Sequence, residues 1–152
     1  MQYRKPEGPA VEAVLGALNS RGYSLVTFSA EIVRKQMHVH CVVTHGDGVN
    51  LDTLAEIHRE VQPEIEDVLA PEDTARDIRI EFSSPGLSRV FGSFHEFEVF
   101  LGREVEVLPV DSSEWLRGKI IAADDAQCLL RRPDGTERTF QRESLVKARL
   151  TE

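Results

Sequence analysis

The spacing of apolar residues predicts five elements in the first half of the chain. Residues 10–21 and roughly 50–68 carry apolar side chains at helical spacing, which predicts two amphipathic helices. Residues 23–28, 37–44 and 78–83 have the alternating or short apolar runs that are typical of strands. In the second strand, Met37, Val39, Cys41 and Val43 are predicted to face the core. Asn50 or Asp52 is predicted to cap the second helix. The predicted order is α-β-β-α-β. Two helices on one face of a three-stranded sheet bury both apolar helix faces, so we expect a two-layer domain.

The second half of the chain has a different pattern, with one short helix and then only short strands. Ser93 and Glu96 have the spacing of a capping box, which predicts a helix that begins there and ends at Gly102. Five strands are predicted after it, at residues 104–110, 115–123, 127–132, 136–141 and 146–150, with a tight hairpin turn at residues 133–135. Closing such short strands into a small barrel removes most free strand edges. The predicted fold class is therefore α+β, with a small barrel after the α/β domain.

A turn-forming stretch, Ser83-Ser84-Pro85-Gly86, lies between these two patterns. Proline presets φ at the second position of a type II turn, and glycine accepts the positive φ that the third position requires. We therefore predict that the third strand ends in a rigid turn at a domain junction. The predicted domains are residues 1–87 and residues 88–152.

The bulk composition limits the function classes. The chain has 152 residues, of which 41% are hydrophobic and 29% charged, as in a globular protein. A net charge of −8 argues against a protein that binds naked nucleic acid by itself, because such proteins usually present a basic face. It does not argue against a partner made of both RNA and basic proteins.

The cysteines and the chain's hydropathy favour the cytoplasm. Cys41 and Cys128 lie far apart in strand-like runs, which favours buried free thiols over a disulfide or a metal site. The first residues lack the apolar core of a signal peptide, and no run of 18 apolar residues occurs. We therefore expect a cytoplasmic protein that makes no membrane contact.

A search for catalytic motifs is negative. The sequence has no Gly-rich phosphate loop with its Lys, no His-Glu-x-x-His and no Cys-x-x-Cys. His38 and His40 share one face of the second predicted strand, but no third ligand can be assigned, so a surface pair is preferred to a metal site. No base can be assigned to the hydroxyls of Ser83 and Ser84. We predict no catalytic residue, no metal, no cofactor and no enzymatic activity.

Two charge patterns are candidate binding surfaces. Acidic residues at intervals of four form one strip on the predicted long helix, which is either a solvated face or a docking site for a basic partner. The strip consists of Asp52, Glu56, Glu60 and Glu64, and Pro63 should kink or split the helix beside it. Basic residues of the later strands either give a side suited to phosphates or are interleaved surface charge. They are Arg117, Lys119, Arg131, Arg132, Arg138, Arg142, Lys147 and Arg149.

Residues 81–89, with the sequence Glu-Phe-Ser-Ser-Pro-Gly-Leu-Ser-Arg, resemble the signature of the bacterial ribosome maturation factor RimP family. The landmarks at residues 48–52, 102–105 and 146–150 are similar as well, so the resemblance covers nearly the whole chain in the same order. Ser88 stands where that family usually has Asp.

The resemblance implies a non-enzymatic assembly factor that binds the 30S ribosomal subunit during its maturation. It implies an N-terminal α/β domain and a C-terminal SH3-like barrel, with contacts to small-subunit rRNA and to a basic ribosomal protein. We expect a monomer that needs no cofactor. The acidic strip would engage the ribosomal protein through Asp52, Glu56 and Glu60. The expected rRNA contacts are Arg117, Lys119, Arg131 and Arg132. Arg89 is expected either to contact a phosphate or to form a pair across the domain interface.

An alternative function is that of a protein-interaction adaptor whose SH3-like barrel binds a peptide. Such an adaptor needs an exposed aromatic groove. Trp115 is the only tryptophan in the chain, so the aromatic supply for a groove is small.

Overall fold

A computed structural model describes residues 1–46, 48–69 and 77–151 of the protein. The chain forms two compact units. The first unit is Pro6–Pro85, and the second unit combines Met1–Lys5 with Gly86–Glu152. The first five residues therefore group with the C-terminal part of the chain, which differs from the expected division into 1–87 and 88–152. The assignment of residues 1–87 and 88–152 to two domains stays a prediction.

The first unit has the predicted order α-β-β-α-β. Its elements are α1 (Pro9–Asn19), β1 (Ser24–Val33), β2 (Gln36–Thr44), α2 (Leu51–Leu69) and β3 (Asp77–Ser83). The strand order is β1-β2-β3, with β1 antiparallel and β3 parallel to β2. Helix α2 thus makes the crossover that a parallel pair requires.

Helix boundaries in the first unit follow local signals. Gly22 has φ +81°, and the amide of Tyr23 bonds back to the Leu18 carbonyl, which ends α1. The Asn50 side-chain oxygen accepts a hydrogen bond from the Thr53 amide at 2.9 Å, so the predicted cap of α2 is confirmed. Pro63 lies inside α2, and the helix continues through it rather than splitting into two helices.

The core of the first unit lies between the two helices and the sheet. The predicted inward face of β2 is confirmed, because Val39, Cys41 and Val43 are buried and Met37 packs against the same cluster. The helices contribute Val11, Val14, Ala17, Leu18, Ile57, Val61 and Ile65. Burial raises the pKa of the Cys41 thiol to about 12, and Cys41 and Cys128 are both free and buried, as expected.

The β1–β2 hairpin is longer than the sequence pattern predicts. The predicted strands, residues 23–28 and 37–44, are separated by a predicted loop of eight residues. In the structure, the pairing of β1 with β2 continues through most of this loop, as far as the pair Val33 and Gln36. Only Arg34 and Lys35 make the turn, with φ of 50° and 67°. Residues in the left-handed region cost roughly 1–2 kcal/mol each when they carry a side chain, so this turn is strained.

The second unit is a short helix and a five-stranded antiparallel sheet. Its elements are α3 (Glu96–Val99), β4 (Glu104–Pro109), β5 (Leu116–Ala123), β6 (Gln127–Arg131), β7 (Glu137–Gln141) and β8 (Leu145–Leu150). The strand order is β7-β6-β5-β4-β8. All five predicted strands are present. In the described pairing β7 does not pair with β8, so the sheet is not closed, and the predicted small barrel is not confirmed.

The segment after the junction turn extends this sheet. Val90 forms an antiparallel bridge with Arg149, and the Leu150 amide bonds to the Arg89 carbonyl. Gly86 itself has the predicted positive φ, +79°. The predicted turn of residues 133–135 is also present, where Gly135 has φ +89°.

An aromatic cluster fills the core of the second unit beside α3. Phe91, Phe94, Phe97 and Phe100 are all buried, with ring centroids 4.8–5.5 Å apart in the contacting pairs. Such ring pairs add roughly 0.5–1.5 kcal/mol beyond the area that they bury. The first residues of the chain pack here too, because the Arg4 amide bonds to Ser93 Oγ at 2.7 Å.

The expected capping box does not form. Ser93 Oγ accepts from the His95 amide at 3.2 Å, while the Glu96 carboxylate accepts from the Gly92 amide at 2.7 Å. A capping box would instead join Ser93 Oγ to the Glu96 amide and the Glu96 carboxylate to the Ser93 amide. The N-cap of α3 is consequently His95, two residues later than the predicted N-cap at Ser93, and the helix starts at Glu96.

Within the described ranges, no helix combines the length and the apolar character that crossing a bilayer requires.

Candidate functional site

Four of the predicted basic residues line one shallow depression on the second unit. Antiparallel pairing of β5 with β6 sets Lys119 opposite Arg131. Arg117 lies two residues before Lys119 and so shares its face of the sheet. Arg132 follows β6 directly. The depression has a volume of about 320 Å³ and is lined by Glu104, Arg117, Lys119, Arg131, Arg132 and Pro133.

The charges in this depression are mostly positive. Glu104 is the one acidic lining residue and lies 3.4 Å from Arg117, while Arg131 lies 3.6 Å from Glu137. Exposed ion pairs of this kind contribute roughly 0–1 kcal/mol to stability. Arg117 and Arg131 can therefore exchange these partners for another anion at little cost in free energy. Lys119 has no ion pair among the described residues. The arrangement suits a phosphate, which accepts hydrogen bonds from arginine and lysine.

One guanidinium nitrogen of the depression, Arg132 Nε, has no hydrogen-bond acceptor among the described residues. This nitrogen is also shielded from solvent. A buried unpaired donor is costly, so an incoming anion or water at this atom would be stabilised.

Gly118 permits the close approach of β5 and β6 beneath the basic residues. A Cβ at this position would lie 3.0 Å from Leu130 Cβ and 3.2 Å from the Arg131 carbonyl oxygen. The sequence analysis missed this residue, because a lone glycine in a strand gives no sign of what it faces.

Gly118→Ala should therefore lower the free energy of unfolding of the second unit by about 1–3 kcal/mol, as overpacking does. Urea unfolding followed by Trp115 fluorescence measures it, since Trp115 is the only tryptophan and lies in this unit. Gly92→Ala is the control, because its Cβ would meet the nearest atom at an ordinary 3.4 Å. Equal stability of the two variants would contradict the close-approach role.

The other predicted basic residues do not join this depression. Arg149 lies 2.8 Å from Glu106 and 4.1 Å from the centroid of the Trp115 ring. Arg138 stacks over Phe140, and Arg142 pairs with Glu143 at 3.5 Å. Of the eight basic residues that were candidates for one basic side, four therefore line the depression, and Arg138, Arg142 and Arg149 contact other side chains.

Arg89 is held inside the second unit. Its Nε donates to Glu96 at 2.5 Å and a terminal nitrogen donates to the same carboxylate at 3.1 Å. The Arg89 side chain is 18% exposed and that of Glu96 is 1% exposed. These donors of Arg89 serve a buried carboxylate of its own unit. The phosphate contact or interface pair expected for Arg89 stays a prediction.

The acidic strip on α2 is exposed. Asp52, Glu56 and Glu60 all face solvent. Arg21 pairs with Glu60 at 3.1 Å and with Glu64 at 3.2 Å. One guanidinium reaches both carboxylates, so Pro63 does not carry Glu64 away from the strip. Asp52 and Glu56 remain as carboxylates without an ion pair in the described residues.

The predicted histidine pair lies on the sheet face opposite the helices. His40 Nε2 is 2.8 Å from Ser83 Oγ, so this serine of the junction stretch ties β3 to β2. His38 lies beside Arg79 in the β2–β3 register. Among the described residues, no group of three or more His, Cys, Asp or Glu is placed to hold a metal ion.

The only tryptophan does not line an aromatic groove. The Arg149 guanidinium covers the Trp115 ring at 4.1 Å. Tyr3 belongs to the second unit, where its hydroxyl donates to Glu98 at 2.6 Å. These contacts of Trp115 and Tyr3 do not support the alternative of a peptide-binding adaptor, which needs an exposed aromatic groove.

Comparison with known proteins finds matches to the RimP family. The family model described as the RimP N-terminal domain matches residues 13–88. Two relatives, each named "Ribosome maturation factor RimP", are 30% identical over 117 residues, which is 72% of this chain. They come from Nitratidesulfovibrio vulgaris strain DP4 and from its strain ATCC 29579, also called Hildenborough. The match spans 64% of the length of these relatives.

Proposed function

The chain belongs to the RimP family, and on that premise we propose that it is a ribosome maturation factor that binds the 30S ribosomal subunit during assembly. It would act without catalysis and without a cofactor, as a cytoplasmic monomer. The depression lined by Arg117, Lys119, Arg131 and Arg132 carries this proposal, because it collects four cations around one concave surface. It would bind phosphates of small-subunit rRNA.

Phosphate binding explains how an acidic protein can join an RNA-rich partner. Contacts to phosphates supply affinity that is independent of sequence and falls as salt rises. The net charge of −8 opposes binding to naked RNA at a distance. A particle that offers both rRNA and basic protein suits a chain that carries both kinds of charged surface.

The acidic strip is the proposed contact for a basic ribosomal protein. Asp52 and Glu56 are exposed and have no ion pair among the described residues. Glu60 forms an ion pair with Arg21, which also forms one with Glu64. Like charges one turn apart disfavour the helix by roughly 0.2–0.5 kcal/mol per pair. A basic partner would relieve this repulsion.

We further propose that the five strands of the second unit form an SH3-like barrel. Strands β4 to β7 follow one another as neighbours, and β8 returns to pair with β4. A single 3₁₀ turn, Arg142–Ser144, connects β7 to β8. This strand order supports a barrel, because pairing the two edge strands, β7 and β8, would close the sheet.

Sedimentation tests the proposed function. The protein is layered with 30S subunits, 50S subunits or immature 30S particles on sucrose gradients at about 50 mM and about 300 mM salt. We expect comigration with 30S or immature 30S particles at low salt, with loss at high salt and no comigration with 50S. Failure to comigrate with either small-subunit particle at low salt would refute the proposal.

A further inference from the structure

We propose that the tip of the β1–β2 hairpin, defined by residues Ile32, Val33, Arg34 and Lys35, is a second contact for the RNA backbone. This inference rests on the proposed function and adds an RNA contact to the first unit. Arg34 and Lys35 would bind phosphates, while Ile32 and Val33 would pack against the adjoining sugars and bases. Neither the sequence pattern nor the resemblance points to this hairpin.

The backbone of the tip is the first observation. Arg34 and Lys35 both have positive φ in a two-residue turn between Val33 and Gln36. Turns of this kind favour Asn-Gly, because residues with larger side chains are strained there. Strain at a residue pair that packs into no core is a reason to look for function in the side chains.

The exposure of the tip is the second observation. Ile32 is 57% exposed and Val33 is 46% exposed, and Arg34 and Lys35 are also exposed. Neither cation has an ion pair among the described residues. The tip therefore presents two unpaired cations beside two apolar side chains, at the end of a ladder that continues into the core.

The chemistry of the tip favours RNA over an acidic protein segment. Two neighbouring cations match successive phosphates, and exposed aliphatic side chains match the sugar and base surfaces of unpaired nucleotides. The first unit is acidic, because residues 6–85 carry 6 Lys and Arg against 14 Asp and Glu, and Arg34 and Lys35 of the tip are two of those six cations. A polyanion would therefore be drawn to the tip and repelled by the surfaces around it.

The variant Arg34→Asn with Lys35→Gly tests the proposal, because it removes both cations and supplies the residue pair that this turn favours. We expect its melting temperature to rise by about 4 °C or more as the strain is relieved. We expect its affinity for immature 30S particles to fall about tenfold at 100 mM salt, as gradients or fluorescence anisotropy would measure. The slope of log affinity against log salt should shrink by about 1.5.

A matched control separates this contact from net charge. Arg59→Gln with Arg79→Gln removes two exposed cations from the same unit that are not part of the tip. The hairpin proposal is overturned if both variants lose affinity equally. It is also overturned if the wild type binds and the hairpin variant loses no affinity. Either result leaves the proposed function standing. Failure of the wild type to bind small-subunit particles overturns both.

A binding assay with synthetic poly-glutamate settles which anion the tip prefers. In one outcome, the wild type binds poly-glutamate, the hairpin variant does not, and both bind 30S particles equally. This result would assign the tip to an acidic protein segment and overturn the RNA contact. Binding of in vitro transcribed 16S rRNA that the variant weakens, with no binding to poly-glutamate, supports it.

Discussion

Arg89→Met is expected to lower the free energy of unfolding of the second unit by about 3–5 kcal/mol. The substitution removes the ion-pair partner of the Glu96 carboxylate, whose side chain is 1% exposed. Among the described residues, the Gly92 amide would then be the remaining hydrogen-bond donor to this carboxylate. A buried charge without its counter-charge is among the most destabilising defects that one mutation creates. Urea unfolding followed by Trp115 fluorescence reports this unit alone.

The double variant Arg89→Met with Glu96→Met is the control for this prediction. Replacing both members of a buried pair by apolar residues is often close to neutral, so much of the stability should return. Its affinity for 30S particles should equal that of the wild type if Arg89 acts only on the fold. A loss below about 1 kcal/mol in Arg89→Met would mean that the pair behaves like a surface pair.

Predictions from apolar spacing succeeded where one face of an element is buried. The inward residues of β2 were identified because successive side chains of a strand point to opposite faces of the sheet. A register shift of one residue would move every apolar side chain to the solvent face, so the pattern specifies the register. The hairpin tip was missed for the converse reason. Residues 29–31, Ser-Ala-Glu, are exposed and lack strong strand preference, so their pairing depends on the ladder to β2 rather than on their own side chains.

The misreading of Ser93 and Glu96 has a different cause. Their spacing fits a capping box, but the Glu96 carboxylate is drawn to the Arg89 guanidinium and the Gly92 amide. Sequence spacing cannot rank a local hydrogen bond against an ion pair that becomes buried only when the aromatic cluster packs. The same limit applies to the basic residues, because only the strand register shows which four of them share the depression.

Replacing the four cations of the depression by glutamine is expected to weaken binding to 30S particles by about 100-fold or more at 150 mM salt. The substitutions are Arg117→Gln, Lys119→Gln, Arg131→Gln and Arg132→Gln. Each phosphate contact that is lost removes a released counterion, so the slope of log affinity against log salt should shrink by about 3. Stability should change little, because the exposed pairs of these residues contribute roughly 0–1 kcal/mol each.

The matched control removes four cations from the same unit outside the depression, as Arg103→Gln, Arg138→Gln, Arg142→Gln and Lys147→Gln. Both variants carry the same net charge, so long-range attraction to the particle is lowered equally in each. A direct contact predicts a much larger loss and a smaller salt slope in the depression variant alone. If both variants lose affinity to the same extent, the cations act only through the overall field of the protein. The concave arrangement around Lys119 would then have no part in binding, and the surface that carries the proposed function would have to be sought elsewhere on the chain.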